Sequence, residues 1–120
     1  MGFFKLSKGL VAIGISLFLN ATNALAHASL TASTPSNGST LIEAPKMVLL
    51  EFAEAVQLVR VNIETDEGDE KLMVGKKGFH KDYILGTESQ SKGKHTLRWR
   101  ALANDGHVIK GEVTFTVKGE

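Results

Sequence analysis

The sequence predicts an all-β domain, a Greek-key β-sandwich or small barrel. Three observations carry that expectation. Behind residue 26 the chain falls into short β-rich segments separated by turn chemistry. Its last third alternates apolar and polar residues with period 2, the mark of half-buried strands. No helical periodicity appears after residue 26.

The first 26 residues stand apart from this pattern. Lys5 and Lys8 form a positive start, Gly9 to Leu19 is apolar, and Ala24-Leu25-Ala26 supplies a small-residue cleavage motif. That combination predicts a secretory signal peptide cut after Ala26. The apolar run is about half the ~20 residues a membrane-spanning helix needs. The expected organisation is therefore a signal peptide over 1–26 and one domain over 27–120.

Within that domain, Ala28 to Ser33 reads as a first strand, ended by Thr34-Pro35-Ser36-Asn37-Gly38, where proline presets φ and glycine accepts positive φ. Lys46 to Phe52 is apolar enough for a sandwich interior. Leu58 to Thr65 alternates, with Leu58, Arg60, Asn62 and Glu64 opposing Val59, Val61, Ile63 and Thr65. Asp66-Glu67-Gly68-Asp69 makes a turn before Lys71 to Val74. Between Gly75 and Gly93, punctuated by glycines, only Tyr83-Ile84-Leu85 suggests a strand. In Lys94 to Leu102 the residues Leu97, Trp99 and Ala101 share a face opposite Arg98 and Arg100. In Gly111 to Lys118, Val113, Phe115 and Val117 oppose Thr114 and Thr116.

Charge and composition exclude several functions. Without Lys5 and Lys8, the 14 basic side chains fall to 12 against 13 acidic ones. So balanced a surface lacks the basic footprint of nucleic-acid binding, and it gives no polybasic anchor for anionic lipid. The chain has no cysteine, which removes disulfides, thiolate metal sites and thiol nucleophiles together. No serine lies in a nucleophile-elbow context, and no phosphate-cradling glycine loop is present.

The chemistry rests on histidine. His27 follows the expected cleavage site, so processing would leave it as the first residue. An N-terminal histidine offers an α-amine and an imidazole that close a chelate ring on one metal ion. The amine's reference pKa of ~7.7–8.0 lets a metal displace its proton near neutral pH. In the precursor the same nitrogen is an amide. Asn104-Asp105-Gly106-His107 lies between the two clearest strands. Asp-Gly is itself a hairpin signal, but the turn does not require His107. If that stretch is extended, Asp105 and His107 share a face. Amine, two imidazoles and a carboxylate form an N₃O set, which suits Cu(II) best and then Ni(II); zinc also accepts His and Asp. His80, among Lys76, Lys77 and Lys81, is expected in a solvated loop, and His95 on the polar face of its strand.

These pieces together resemble the CopC family of periplasmic copper-binding proteins over nearly the whole mature length. The resemblance is carried by His27-Ala28-Ser29-Leu30, Ser33-Thr34-Pro35-Ser36-Asn37-Gly38, Leu49-Leu50-Glu51-Phe52-Ala53-Glu54, Leu97-Arg98-Trp99-Arg100, Asn104-Asp105-Gly106-His107 and Gly111-Glu112-Val113-Thr114-Phe115. It implies a Greek-key sandwich related to immunoglobulin-like and cupredoxin domains. It implies one Cu(II) ion per mature chain, held by His27, Asp105 and His107. By the same resemblance Glu54 matches an acid near the copper, as a weak axial ligand or a partner of the ligands, and Trp99 is core. It further implies a periplasmic carrier or buffer, not an enzyme, with an inner-membrane copper permease as partner. Some members bind Cu(I) through a methionine-rich loop; the corresponding stretch here, roughly 68–80, contains only Met73. Soft thioethers select Cu(I), so a Cu(II)-only protein is expected. Two other functions fit an N-terminal histidine or a β-sandwich less well: a copper-dependent polysaccharide monooxygenase, for which the domain has few sugar-stacking aromatics, and a metal-free immunoglobulin-like interaction module.

Overall fold

A computed structural model describes residues 30–119, and within them every regular element is a strand. They are β1 (Leu30–Thr34), β2 (Ser39–Leu41), β3 (Met47–Thr65), β4 (Gly68–Leu72), β5 (His80–Gly86), β6 (Gly93–Ala103) and β7 (Val108–Val117). The expected signal peptide and His27 lie outside the described residues. The all-β expectation holds. The seven strands form one hydrogen-bonded sheet in the order β1-β3-β6-β7-β2, with β4 and β5 also on β3.

The long β3 organises this sheet. The sequence suggested two strands, Lys46–Phe52 and Leu58–Thr65; the chain instead runs continuously through both. Its first half pairs with β1 and β5, and its second half with β4 and β6. Between them the β5 register shifts between Glu51 and Val56, and the β6 register between Leu58 and Arg60. Such bulges insert an extra residue and bend the strand, so one strand serves both layers of a curled sandwich. The second bulge also reverses an expected face. Strict alternation placed Val59 with Val61 and Ile63, but Leu58 is buried and Val59 is 56 % exposed.

A bulge leaves backbone groups without ladder partners, and buried ones must be satisfied. Tyr83 does this from β5. Its buried hydroxyl donates to Val56 O at 2.5 Å and accepts from Leu58 N–H at 3.2 Å. The core around it takes Val48, Leu50 and Phe52 from the first half of β3, and Val61, Ile63, Leu97, Trp99 and Val113 from the other layer. Phe52 meets Trp99 edge to face at 5.1 Å across the two layers. Each fully buried large apolar side chain contributes roughly 1.5–3 kcal/mol. Position 111 must be glycine for this packing, because a Cβ there would stand 2.6 Å from the Trp99 ring.

Two further expectations are corrected. Ser39–Leu41, unassigned in the sequence, is β2 and pairs in parallel with β7 at Phe115 to Val117. The turn expected at Asp66–Asp69 is shorter, since β4 already begins at Gly68 and reaches Leu72 rather than Val74.

Candidate metal centre

The hairpin between β6 and β7 turns at Asn104–His107. Ala103 N–H donates to His107 O at 2.8 Å, and Gly106 N–H donates to Ala103 O at 2.9 Å. Gly106 adopts φ +92, which a side chain would resist. Asp105 and His107 therefore sit on a turn rather than on an extended strand, and they meet through the turn itself. Asp105 Oδ1 accepts the backbone N–H of His107 at 3.0 Å, and Oδ2 lies 2.8 Å from its Nδ1. Those contacts, the backbone one foremost, hold the Asp105 carboxyl below the usual aspartate range. A carboxylate only accepts, so in the neutral imidazole this contact places the proton on Nδ1 and leaves the Nε2 lone pair for a metal. Both side chains are open to solvent, His107 at 82 % and Asp105 at 64 %.

Register brings other parts of the chain to the same place. Leu50 pairs with Ser33 of β1 and with Tyr83 of β5, while Val56 pairs with Ala103 of β6 and with His80 of β5. Strands β1 and β6 thus share one edge of β3, opposite β5. Along that edge, among the described residues, β1 pairs as far as Phe52, opposite Leu30, and β6 as far as Val56, opposite Ala103. Ala53-Glu54-Ala55 lie between these two positions, flanked by the first described residue on one side and by the residue that opens the Asn104–His107 turn on the other. Exposed Glu54 lies in the middle of that segment.

The structure unites Asp105 with His107 and leaves the other candidates apart. Among the described residues no three His, Asp or Glu side chains form a group able to hold a metal, so Glu54 does not join the pair. His80, expected in a solvated loop, opens β5 half-buried, with Nε2 2.6 Å from Lys77 O. His95, expected on the polar face, is 1 % exposed in the core, stacked on Phe115 at 4.9 Å. It shares the face of Leu97, and that face is the inner one. Met73 is exposed. Trp99 is core, as expected.

The imidazole and carboxylate on the turn are an incomplete N,O set without sulfur. Such donors suit Cu(II) once other nitrogen donors join them.

Comparison with known proteins adds a family. The CopC domain matches residues 30–118. Copper resistance protein C of Xanthomonas campestris pv. juglandis is 26 % identical over 115 residues, covering 87 % of this chain and 90 % of that protein. Protein YobA of Escherichia coli strain K12 is 29 % identical over 108 residues, covering 78 % and 80 %. The copper transport protein CutJ of Bacillus subtilis strain 168 is 28 % identical over 107 residues, 84 % of this chain. The chain spans only 20 % of CutJ's length. In structure, the crystal structure of CopC from Methylosinus trichosporium OB3b superposes with TM-score 0.65 at 24 % identity, over 78 % of this chain and 96 % of that one. PcoC, a methionine rich copper resistance protein from Escherichia coli, gives 0.57 at 24 % identity, over 77 % and 99 %. At these identities the two structures establish the shared β-sandwich fold.

Proposed function

The chain belongs to the CopC family, and from that premise we propose that it is a periplasmic copper(II) carrier or buffer. Export would cut it after Ala26, and His27 would supply its new α-amine and its imidazole. Asp105 and His107 complete the N₃O set. The role is sequestration and hand-over, not catalysis, with one Cu(II) per mature chain. An inner-membrane copper permease is the partner this reading implies.

The observation that supports it best is that β1 and the β6–β7 hairpin share one edge of β3. Leu30, the first described residue, pairs with Phe52, and the hairpin turn lies past Val56 on the same edge. His27 precedes Leu30 by three residues in sequence, at most about 10 Å of chain. The donor chemistry agrees: nitrogen and oxygen ligands without thioether favour Cu(II) over Cu(I). A ligand set drawn partly from a chain terminus also opens easily, since a recipient can displace the terminal histidine first.

The deciding experiment compares protein that begins at His27 with protein carrying one extra residue before it. Cu(II) is titrated into each, and electron paramagnetic resonance reports the ligands. The expected result is tight one-to-one binding with a nitrogen-rich tetragonal signal, weakened sharply by the extra residue. Equal binding by both forms would remove the His27 amine from the site.

A further inference from the structure

We propose that the outer face of β3, β6 and β7 beside the hairpin turn is a docking surface for a carboxylate-rich protein partner. Arg60 of β3 lies directly opposite Arg100 of β6, which lies directly opposite Lys110 of β7. Directly paired residues share a sheet face, and all three side chains are exposed. Like charges in cross-strand register repel and destabilise the sheet. Three in one row is therefore a feature that folding alone would not select.

The neighbouring row shows how this sheet treats a cation when structure is the purpose. There Asn62, Arg98 and Glu112 stand in register, and Arg98 is bridged by Glu64 and by Glu112, the latter at 3.3 Å. Among the described residues, ion pairs form only at Arg98 and at His107. Arg60, Arg100 and Lys110 form none among the described residues, and the nearest carboxylate in register, Glu112, is engaged by Arg98. The row on their other side is largely apolar: Gln57, Leu102 and Val108 in register, with Val59 bulged out beside them. Val59 and Val108 are 56 % and 63 % exposed.

An apolar strip bordered by two unpaired arginines and a lysine has the composition of an interface. Arginine's planar fork takes a carboxylate through two parallel hydrogen bonds, and charge complementarity of this kind sets partner choice and speeds encounter. Three cations fall short of the four to eight that anionic membrane recognition uses, so the acidic partner is a protein. The face also has a position. Val108 follows His107 directly, so a partner seated here abuts the turn that carries Asp105 and His107. The docking surface is defined by the face alone. Only its use in handing over metal rests on the copper reading, which the titration at His27 tests separately.

The test uses the isotope-labelled protein and, as probe, a capped peptide of alternating glutamate and leucine, followed by NMR. Vesicles with one-third phosphatidylglycerol serve as the competing ligand. Amide shifts are expected in 57–60, 98–102 and 108–112. Affinity should drop at least about tenfold in R60Q/R100Q/K110Q and fall with added salt. A K76Q/K77Q/K81Q variant should bind as the parent does. Because the row is repulsive, R60Q/R100Q/K110Q should melt no lower than the parent. The proposal is overturned if the peptide fails to bind, or if either variant set changes binding equally. Vesicles bound at this face in preference to the peptide would replace the protein partner with a membrane. A lowered melting temperature in R60Q/R100Q/K110Q would make the row structural.

Discussion

His95 and His107 belong to one hairpin and have nothing in common beyond their chemistry. His95 lies in β6 opposite Phe115, on the inner face, and stacks on that ring with its Nδ1 3.1 Å from Gly93 O. Its Nε2 is buried with no partner among the described residues. His107 lies in the turn, where no sheet face exists to bury it, and its Nδ1 is engaged by Asp105 while Nε2 is left available. Register assigns one imidazole to the core and the lack of register gives the other to solvent. A histidine's role is thus decided by the ladder position it occupies. The two should separate cleanly under substitution, one in binding and one in stability.

The largest effect is expected at His107. His107→Ala should weaken Cu(II) binding on the order of a hundredfold or more, since even residues that only orient a ligand cost 10–100-fold. Its melting temperature should match the parent's, because substitutions at exposed positions usually stay within about 0.5 kcal/mol. Titration and calorimetry on the same sample check both halves. Unchanged copper affinity would break the comparison outright.

His95→Ala comes next and should invert that pattern. Emptying a fully buried ring site costs about 2–4 kcal/mol, read as a lower denaturation midpoint, while copper affinity of the folded protein stays the same. His95→Phe sharpens the point. It fills the ring's space and removes the unpaired nitrogen, and deleting a buried unsatisfied group offsets part of any loss. It should therefore cost less than the alanine. If phenylalanine proves as damaging as alanine, or if either variant alters copper binding, the imidazole serves something other than packing.

The mistaken expectation for His95 shows where the sequence is legible. In β6 and β7 the alternation is strict, the two strands pair with each other along a ten-residue ladder, and the inner set Leu97, Trp99, Val113 and Phe115 was visible at once. The same alternation puts His95 with Leu97, and only its polarity argued otherwise. Strand β3 was harder, because bulges break period 2, and no local signal announces that Val59 will turn outward. Strand β2 is three residues held by a parallel partner some 75 positions away, so its existence is tertiary. The pair Asp105 and His107 was legible from spacing, yet for another reason than the one that operates. They meet by the hydrogen bonding of a turn rather than by the two-residue repeat of a strand. That β1 and the β6–β7 hairpin share one edge of β3 was not legible at all, because it follows from the register of three separate ladders.

The smallest effect concerns Asp105 and tests whether the turn holds without metal. Hydrogen bonds from His107, first its backbone N–H and then its ring, keep the Asp105 carboxyl below the ordinary aspartate value of ~3.9. The unfolded chain, lacking those bonds, takes up a proton at the ordinary value while the folded turn resists it. The contribution to stability is therefore complete above the ordinary value and is lost as pH falls through the lowered one. The group is exposed, so solvent screens the interaction and the change in overall stability is slight. The site itself is the better reporter. In an NMR titration of metal-free protein, the Asp105 carboxyl carbon and the His107 amide should move together, with a common midpoint below ~3.9. A midpoint at or above that value would mean that the turn does not hold the carboxylate in solution. Nδ1 would then have no fixed partner, and the choice of Nε2 as the metal-facing nitrogen of His107 would lose its physical basis.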